Sequence, residues 1–400
     1  MTSPRKRFGI FLAPFHPTHE HADRALQRDF ELIEHLDRLG FEEAWIGEHH
    51  SGGFEIIACP ELFIAAAAER TRHIRLGTGV VSLPYHHPLM VADRIMQLDH
   101  QTRGRVMFGV GPGALPSDAF MMGIDPAKQR DMMDEAIGVL VPLLRGEVVD
   151  HQSDWFTLRE ARLQLRSFRE QGIEIAVASQ VSPAGARAAG KHGLGLLSIG
   201  ATTSGGFNAL ATNWSICTDR AADFGQTVER EAWRLVGPMH IAETREKAFE
   251  NVRFGLEDWL RYFNEVAALP LAPAGKLDDA IESLNASGFA VIGTPDDAIS
   301  QLERLEEQSG GFGCFLQLAH NWASWENTLE SYELFARYVA PRFQGTDEGR
   351  EASMKWAAGN RPAFMGAYAN AVGSEMQKHQ KEQAAKAEAA AAKSDAGEAA

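Results

Sequence analysis

Three adjacent side chains suited to acid–base chemistry follow a short apolar stretch near the N-terminus. Residues 44–47 read Ala-Trp-Ile-Gly, and Glu48, His49 and His50 come directly after them, before a Ser-Gly-Gly turn. Carboxylates and imidazoles bind and release protons, and imidazole does so near neutral pH. In parallel sheets and barrels, catalytic groups lie just past the carboxyl ends of the strands. The stretch therefore indicates a catalytic site, although a strand cap followed by a solvated histidine would show the same pattern.

Small residues mark the ends of the next two predicted strands. Residues 77–84 read Gly-Thr-Gly-Val-Val-Ser-Leu-Pro, and residues 109–114 read Gly-Val-Gly-Pro-Gly-Ala. The second run fits the glycine pattern of dinucleotide-binding folds, but Pro112 and Pro116 do not suit a helix that opens on the glycines. Both runs favour a flat ligand that lies against the backbone, and a simple β-bulge is the alternative.

A phosphate site is indicated where residues 178–183 read Ala-Ser-Gln-Val-Ser-Pro. Hydroxyl groups and free backbone N–H groups that precede a helix bind phosphate. An ordinary helix cap would have the same composition.

A metal site is the less favoured alternative. His19 and His21 have the HxH spacing of metal-dependent hydrolase barrels, but the later strand ends lack the histidines and the aspartate that such barrels need. We therefore expect no metal. Near the C-terminal end of the repeating pattern, His320 and Trp322 could line an apolar substrate pocket with Phe15 and Tyr85, or could simply pack at the rim.

Eight strand–helix pairs must position these groups. The predicted strands are residues 8–12, 44–47, 74–81, 105–110, 173–178, 194–199, 233–241 and 312–318. Alternation of strands and helices implies parallel strands with right-handed crossovers, and eight repeats predict a closed (β/α)8 TIM barrel. A doubly wound sheet is the alternative, but eight units rarely form an open sheet. We expect this α/β barrel to occupy residues 1–344, with a long helix over 245–266.

Three stretches interrupt the pattern. Residues 145–172 form an excursion, and residues 267–294 contain prolines and glycines that predict a mobile lid. Residues 345–400 form a C-terminal extension of low complexity, which we expect to be largely disordered, or helical, from residue 377 onward.

The composition limits the class of protein. A net charge of −15 argues against binding to nucleic acid or to an anionic membrane. Three widely spaced cysteines argue for a reducing compartment, so we expect a cytoplasmic protein. No run of about 18 apolar residues is present, so no membrane span is expected.

The combination of motifs resembles the bacterial luciferase-like flavin monooxygenases. The matching segments are residues 44–50, 77–84, 87–88 and 105–109, and the resemblance runs from about Phe8 to Arg342. Within that family, residues 8–17 and 319–322 are most similar to the limonene monooxygenase branch.

The resemblance implies a two-component enzyme that takes reduced FMN from a separate NAD(P)H:flavin reductase. O2 would add at flavin C4a, and one oxygen atom would pass to a small apolar organic substrate, most simply by epoxidation of a terpene such as limonene. His49 matches the family's catalytic histidine, and the bond between Gly79 and Val80 matches its cis peptide. We also expect a homo-oligomer, a dimer or larger. The alternative within the superfamily is an F420- or FMN-dependent oxidoreductase.

The same resemblance assigns a set of flavin contacts. The positions assigned to the cofactor are Glu48, Gly79, Val80, Gly111, Ser179, Gln180, Val181 and Ser182. Two departures from the luciferases, Ala178 in place of a glutamate and Gly111 in place of a cysteine, argue against bioluminescence and aldehyde oxidation.

Overall fold

The computed structural model describes residues 5–13, 15–267, 271 and 276–397, with side chains up to residue 391. The chain divides into two compact units, Met1–Gln344 and Gly345–Ala400. The first unit carries all of the candidate site residues.

Eight parallel strands close into a barrel in the first unit. They follow one another in the order β1, β2, β3, β5, β8, β9, β10 and β13, and β13 pairs with β1 to close the ring. The short strand β4 continues β3 and also pairs with β5. The strands are β1 Arg7–Leu12, β2 Glu43–Ile46, β3 Arg75–Thr78, β4 Val81–Ser82, β5 Val106–Gly111, β6 Val149–Gln152, β7 Thr157–Ala161, β8 Glu174–Ser179, β9 Gly195–Ser198, β10 Trp233–Gly237, β11 Met239–Ile241, β12 Val291–Gly293 and β13 Cys314–Leu318.

Helices connect successive barrel strands, which confirms the predicted TIM barrel. Apolar side chains on their inner faces pack against the strands. The helices of this unit are α1 Ala22–Leu39, α2 Pro60–Arg70, α3 Pro88–Gln101, α4 Pro116–Met121, α5 Gln129–Leu144, α6 Ala184–His192, α7 Ser204–Asp223, α8 Arg245–Val252, α9 Leu256–Glu265, α10 Leu277–Ala286, α11 Pro295–Ser309, α12 Trp325–Leu334 and α13 Ala340–Gln344.

Two predicted elements are divided in the structure. The predicted strand 233–241 breaks at Pro238, and β11 leaves the barrel to pair with β12 in a separate two-stranded sheet. The predicted helix 245–266 breaks at Gly255 into α8 and α9. A Cβ atom at Gly255 would lie 2.1 Å from the carbonyl oxygen of Asn321, so the close approach of two backbones there requires glycine.

The proposed lid region is partly regular structure. Residues 268–270 and 272–275 lie outside the described residues, whereas residues 277–286 form α10 and residues 291–293 form β12. Ala280, Ile281 and Leu284 of α10 are buried. The helical spacing of these three residues could have predicted α10 from the sequence, but the prolines and glycines around them obscured that pattern. The mobility of residues 267–294 stays a prediction. In the other interrupting stretch, residues 145–172, β6 and β7 form an antiparallel hairpin.

The barrel interior is filled by apolar side chains around Trp45. Phe11, Met107 and Leu316 pack in the same cluster. A Cβ atom at Gly77 or Gly109 would lie within 3 Å of the Trp45 ring. These two glycines therefore make room for a core side chain, and not for a flat ligand as their sequence pattern had suggested.

The second unit consists of two helices, α14 Glu348–Gly359 and α15 Arg361–Gly397. Helix thus begins well before residue 377, although the state of this extension in solution stays a prediction. Across the described ranges, no helix is long and apolar enough to cross a membrane.

Candidate active site

The carboxyl ends of the barrel strands bring the predicted chemical groups together at one mouth. The backbone N–H of Ser82 donates to Glu48 Oε2 at 2.9 Å, which joins the ends of the second and third barrel strands. The N–H of His50 donates to Asp118 Oδ1 at 3.2 Å, which joins the second and fourth. Parallel strands impose this common edge, because all of their carboxyl ends point the same way.

His49 lies between two carboxylates. Its Nδ1 is 3.3 Å from Asp118 Oδ2, and its Nε2 is 3.0 Å from Glu55 Oε2. Burial disfavours a charged ring, but the negative charge of Glu55 and the hydrogen bond to Asp118 outweigh it and raise the pKa of His49 to about 10. A pKa in this range would leave the ring with two protons at neutral pH, which would make His49 an acid.

Glu48 and His50 form a separate group. The Nε2 atoms of His50 and His86 lie 2.8 and 2.7 Å from the same carboxylate oxygen, Glu48 Oε1. Burial raises the pKa of Glu48, but the hydrogen bonds from His50 and His86 prevail and lower it to about 2. The side chains of Glu48 and His50 pair with each other, and His49 turns toward Glu55 and Asp118 instead.

The same three residues have the types and spacing of metal ligands. Glu48, His50 and His86 could each offer one atom to a shared cation. The observed N···O distances are those of hydrogen bonds from two imidazoles to one carboxylate oxygen, and this is the arrangement the geometry supports.

Small residues lie at the ends of β3, β5 and β8. The Gly79–Val80 peptide bond is cis, as the resemblance implied. A Cβ atom at Gly111 would lie 2.5 Å from Val80 Cγ2 and 3.4 Å from the Cβ of Ala178. The missing side chain at Gly111 thus makes room for the side chain of Val80, as Gly77 and Gly109 make room for Trp45.

The residues predicted to bind phosphate lie just before the start of α6. Ser179 is 4% exposed, and its Oγ has no hydrogen-bond partner among the residues that the structure describes. Gln180, Val181 and Ser182 are exposed in the turn before the helix. A buried hydroxyl without a partner and the free N–H groups of a helix start fit a bound phosphate.

Comparison with known proteins identifies the family. The family model described as luciferase-like monooxygenase matches residues 6–311. The chain belongs to the luciferase-like monooxygenase family. It is 52% identical to limonene 1,2-monooxygenase of Rhodococcus erythropolis over 85% of this chain and 87% of that protein. It is 46% identical to 4-hydroxyprotoasukamycin monooxygenase of Streptomyces nodosus subsp. asukaensis, over 88% and 96% of the two chains.

A solved structure shows the same architecture. The oxygenating constituent of 3,6-diketocamphane monooxygenase from Pseudomonas putida, a type II Baeyer–Villiger monooxygenase in complex with FMN, matches with a TM-score of 0.69. The two chains are 25% identical, over 85% of this chain and 99% of that one. Together these similarities make the present protein an enzyme, a flavin-dependent monooxygenase.

Buried aromatic side chains pack together beside Glu55 in this luciferase-like monooxygenase. Phe15 stacks on Phe54 with ring centroids 4.8 Å apart, and Tyr262 lies 5.1 Å from Phe54. Trp322 belongs to the same buried cluster, and His320 stacks on it at 4.1 Å. Burial lowers the pKa of His320 to about 4, so this ring is neutral.

Tyr85 lies apart from that cluster. Its ring is 6.0 Å from the ring of His50, and its hydroxyl accepts a hydrogen bond from Gln129 at 3.0 Å. The structure thus groups Phe15, His320 and Trp322 and places Tyr85 beside the Glu48 group. That all four line a substrate pocket stays a prediction.

Sequence reasoning missed Glu55, Asp118 and Tyr262 in this luciferase-like monooxygenase. Glu55 and Asp118 lie in segments that follow β2 and β5, and Tyr262 on α9 donates to Glu55 Oε1 at 2.7 Å. The available signal was a carboxylate shortly after each glycine-rich strand end. That signal is weak, because acidic residues are common in solvated loops.

Proposed function

We propose that this protein is the oxygenase of a two-component system that uses reduced FMN and O2 to oxygenate a small apolar substrate, by epoxidation of a terpene such as limonene. The observation that carries the proposal is His49 held between the carboxylates of Glu55 and Asp118 at the barrel mouth. The name of the relative that shares 52% of its residues supports the substrate class.

The chain's own residues would hold the cofactor at two points. Ser179, Ser182 and the N–H groups at the start of α6 would bind the phosphate of FMN, with Gln180 and Val181 in the same turn. Gly79, Val80 and Gly111 would lie beside the ring system, as the resemblance implies. Reduced FMN, when bound, would supply the electrons that activate O2.

His49 would supply acid catalysis, and the buried aromatic side chains would supply an apolar environment. His49 would donate its proton to oxygen near the ring system, as a general acid. Phe15, Phe54 and Trp322 would exclude water and present an apolar surface to the substrate. Glu48, with both oxygens engaged by the protein, would keep the neighbouring backbone in place beside the cofactor.

The proposal includes a separate NAD(P)H:flavin reductase as partner. The related 3,6-diketocamphane monooxygenase structure is that of an oxygenating constituent, which supports this division of labour. We also propose a cytoplasmic homo-oligomer. Leu62 on α2 and Met90 on α3 are 73% and 53% exposed. Contact with a second copy of the chain would remove these apolar side chains from water.

Product analysis tests the function. The protein would be incubated with an FMN reductase, NADH and a panel of terpenes under 18O2, and we expect one labelled oxygen atom in an epoxide of a cyclic terpene. Turnover without O2 uptake would instead indicate hydride transfer of the F420 type and would overturn the proposal. Labelled product from polar substrates alone would overturn the substrate class.

Replacing Ser179 by alanine tests the phosphate site. A hydrogen bond to a charged group contributes about 1.5–3 kcal/mol, so we expect FMN affinity to fall at least about tenfold. Thermal stability should not fall, because the hydroxyl has no partner among the described residues. Fluorescence titration with FMN and thermal unfolding measure the two effects.

The matched control for that variant is Ser198→Ala. Ser198 is also buried, but its Oγ accepts a hydrogen bond from Trp233 Nε1 at 2.9 Å. We expect Ser198→Ala to lose about 1 kcal/mol of stability and to keep its FMN affinity. An unchanged FMN affinity in Ser179→Ala would place the phosphate elsewhere.

A further inference from the structure

The two carboxylates beside His49 determine which protonation state of its ring they can accept. Each ring nitrogen faces a carboxylate oxygen, Asp118 Oδ2 at 3.3 Å and Glu55 Oε2 at 3.0 Å. A neutral imidazole has only one N–H group, and its other nitrogen would repel a carboxylate. Only the doubly protonated ring suits both neighbours.

The two carboxylates are anchored differently. Asp118 Oδ1 accepts hydrogen bonds from the N–H of His50 at 3.2 Å and from Ser51 Oγ at 2.5 Å. Glu55 has one anchor in the described part of the chain, the hydroxyl of Tyr262, which occupies Oε1. Its other oxygen, Oε2, is buried and faces His49 without the alignment of a hydrogen bond. The charge of that oxygen is compensated chiefly by His49.

We infer that Glu55 is a positioning residue that keeps the ring of His49 protonated at Nε2 and fixes the orientation of the ring. Two further donors fix the Asp118 carboxylate, which holds the Nδ1 side of the ring in place. The Nε2 nitrogen faces Glu55, whose carboxylate has a single anchor, so His49 would transfer its Nε2 proton. The use of this proton in oxygenation rests on the proposed function, whereas the protonation state of His49 does not.

The surrounding charges agree with this assignment. The other titratable groups near the pair are His16, His50, Asp118 and Tyr262. Burial raises the pKa of Glu55, but the positive charge of His49 outweighs it, and the pKa of Glu55 is lowered overall. The side chains of His49 and Glu55 are 14% and 10% exposed, so water screens their interaction only weakly.

Histidine titration in the free protein tests the inference. In protein labelled with 15N in the histidine rings, the His49 signal would be assigned by its loss in His49→Gln. We expect both nitrogens of His49 to stay protonated through about pH 8.5 in the wild type. In Glu55→Gln, which keeps the shape and removes the charge, the midpoint should fall by at least about one pH unit, or tenfold in proton affinity.

Two further variants separate a charge effect from a general disturbance. Glu55→Asp keeps the charge, so its midpoint should lie between those of the wild type and Glu55→Gln. Glu61→Gln removes another buried glutamate, which pairs with Arg94 at 3.0 Å, and should leave the His49 midpoint unchanged. With FMN and a reductase, the upper pH limit of product formation should fall in Glu55→Gln alongside the NMR midpoint.

The outcomes are distinct from those of the proposed function. A wild-type His49 that is neutral at pH 7, or a midpoint that Glu55→Gln does not lower, would overturn the inference. If the titrations come out as expected and no oxygenated product forms with any substrate, the proposed function fails and the role of Glu55 in holding the proton stands.

Discussion

Replacing His49 by alanine is expected to reduce oxygenated product by about 10²–10⁴-fold, the usual contribution of a positioned general acid. FMN affinity should be largely kept, because the proposed phosphate contacts lie at residues 179–182. NADH consumption should continue, with its electrons lost as H2O2. Product analysis and a peroxide assay on the same reaction measure the ratio of oxygenated product to H2O2.

His50→Ala is the control for that result. His50 points away from His49, and its removal leaves Glu48 paired with His86 and the N–H of Ser82. We expect a much smaller loss of product in this variant.

His49→Ala leaves the Glu55 carboxylate without its compensating charge, so activity should be measured well below the unfolding temperature of each variant. Equal losses in the two variants, or a normal ratio of product to peroxide in His49→Ala, would move proton donation away from His49.

Replacing Arg234 by methionine is expected to destabilise the barrel by about 3–5 kcal/mol. Arg234 is fully buried at the opposite end of the barrel from the mouth. Its guanidinium donates to Glu43 at 2.9 and 3.1 Å and also contacts Glu174. Removing the cation leaves buried carboxylates with too little positive charge, and urea denaturation followed by tryptophan fluorescence measures the loss.

The pH dependence of that loss has a defined sign. Burial raises the pKa of Glu43, but Arg234 outweighs it and holds the pKa well below its usual range in the wild type. Without Arg234 the pKa of Glu43 should rise, so the folded variant takes up a proton as the pH falls and part of its deficit disappears. The loss should therefore be smaller at about pH 5 than at about pH 7.5.

An exposed arginine provides the comparison for Arg234. Arg162 pairs with Glu160 at 3.3 Å, and the two side chains are 58% and 81% exposed. Arg162→Met removes the same charge but should cost less than about 1 kcal/mol. Equal costs for the two variants would show that the buried pair with Glu43 contributes no more than a surface charge.

The resemblance and the strand pattern together anticipated much of the candidate site. The end of β2 delivers His49, the end of β8 delivers Ser179, and Gly111 lies against Val80. These placements follow from local signals, since a buried strand followed by polar residues fixes where those residues emerge. Gly77 and Gly109 show the limit of such signals, because a glycine that admits a ligand and one that admits Trp45 look the same in sequence.

The sequence by itself determined the class of fold and the common mouth, because alternating strands and helices force the strands to be parallel and their carboxyl ends to meet. Only the tertiary structure decided which charges surround His49. Asp118 is 69 residues away along the chain, and Tyr262 is 207 residues from Glu55. Contacts between segments that follow different strands depend on the path of each segment across the barrel, which no local periodicity encodes. The partner of an ionisable group, and hence its protonation state, is for this reason set by the folded chain and not by its neighbours in sequence.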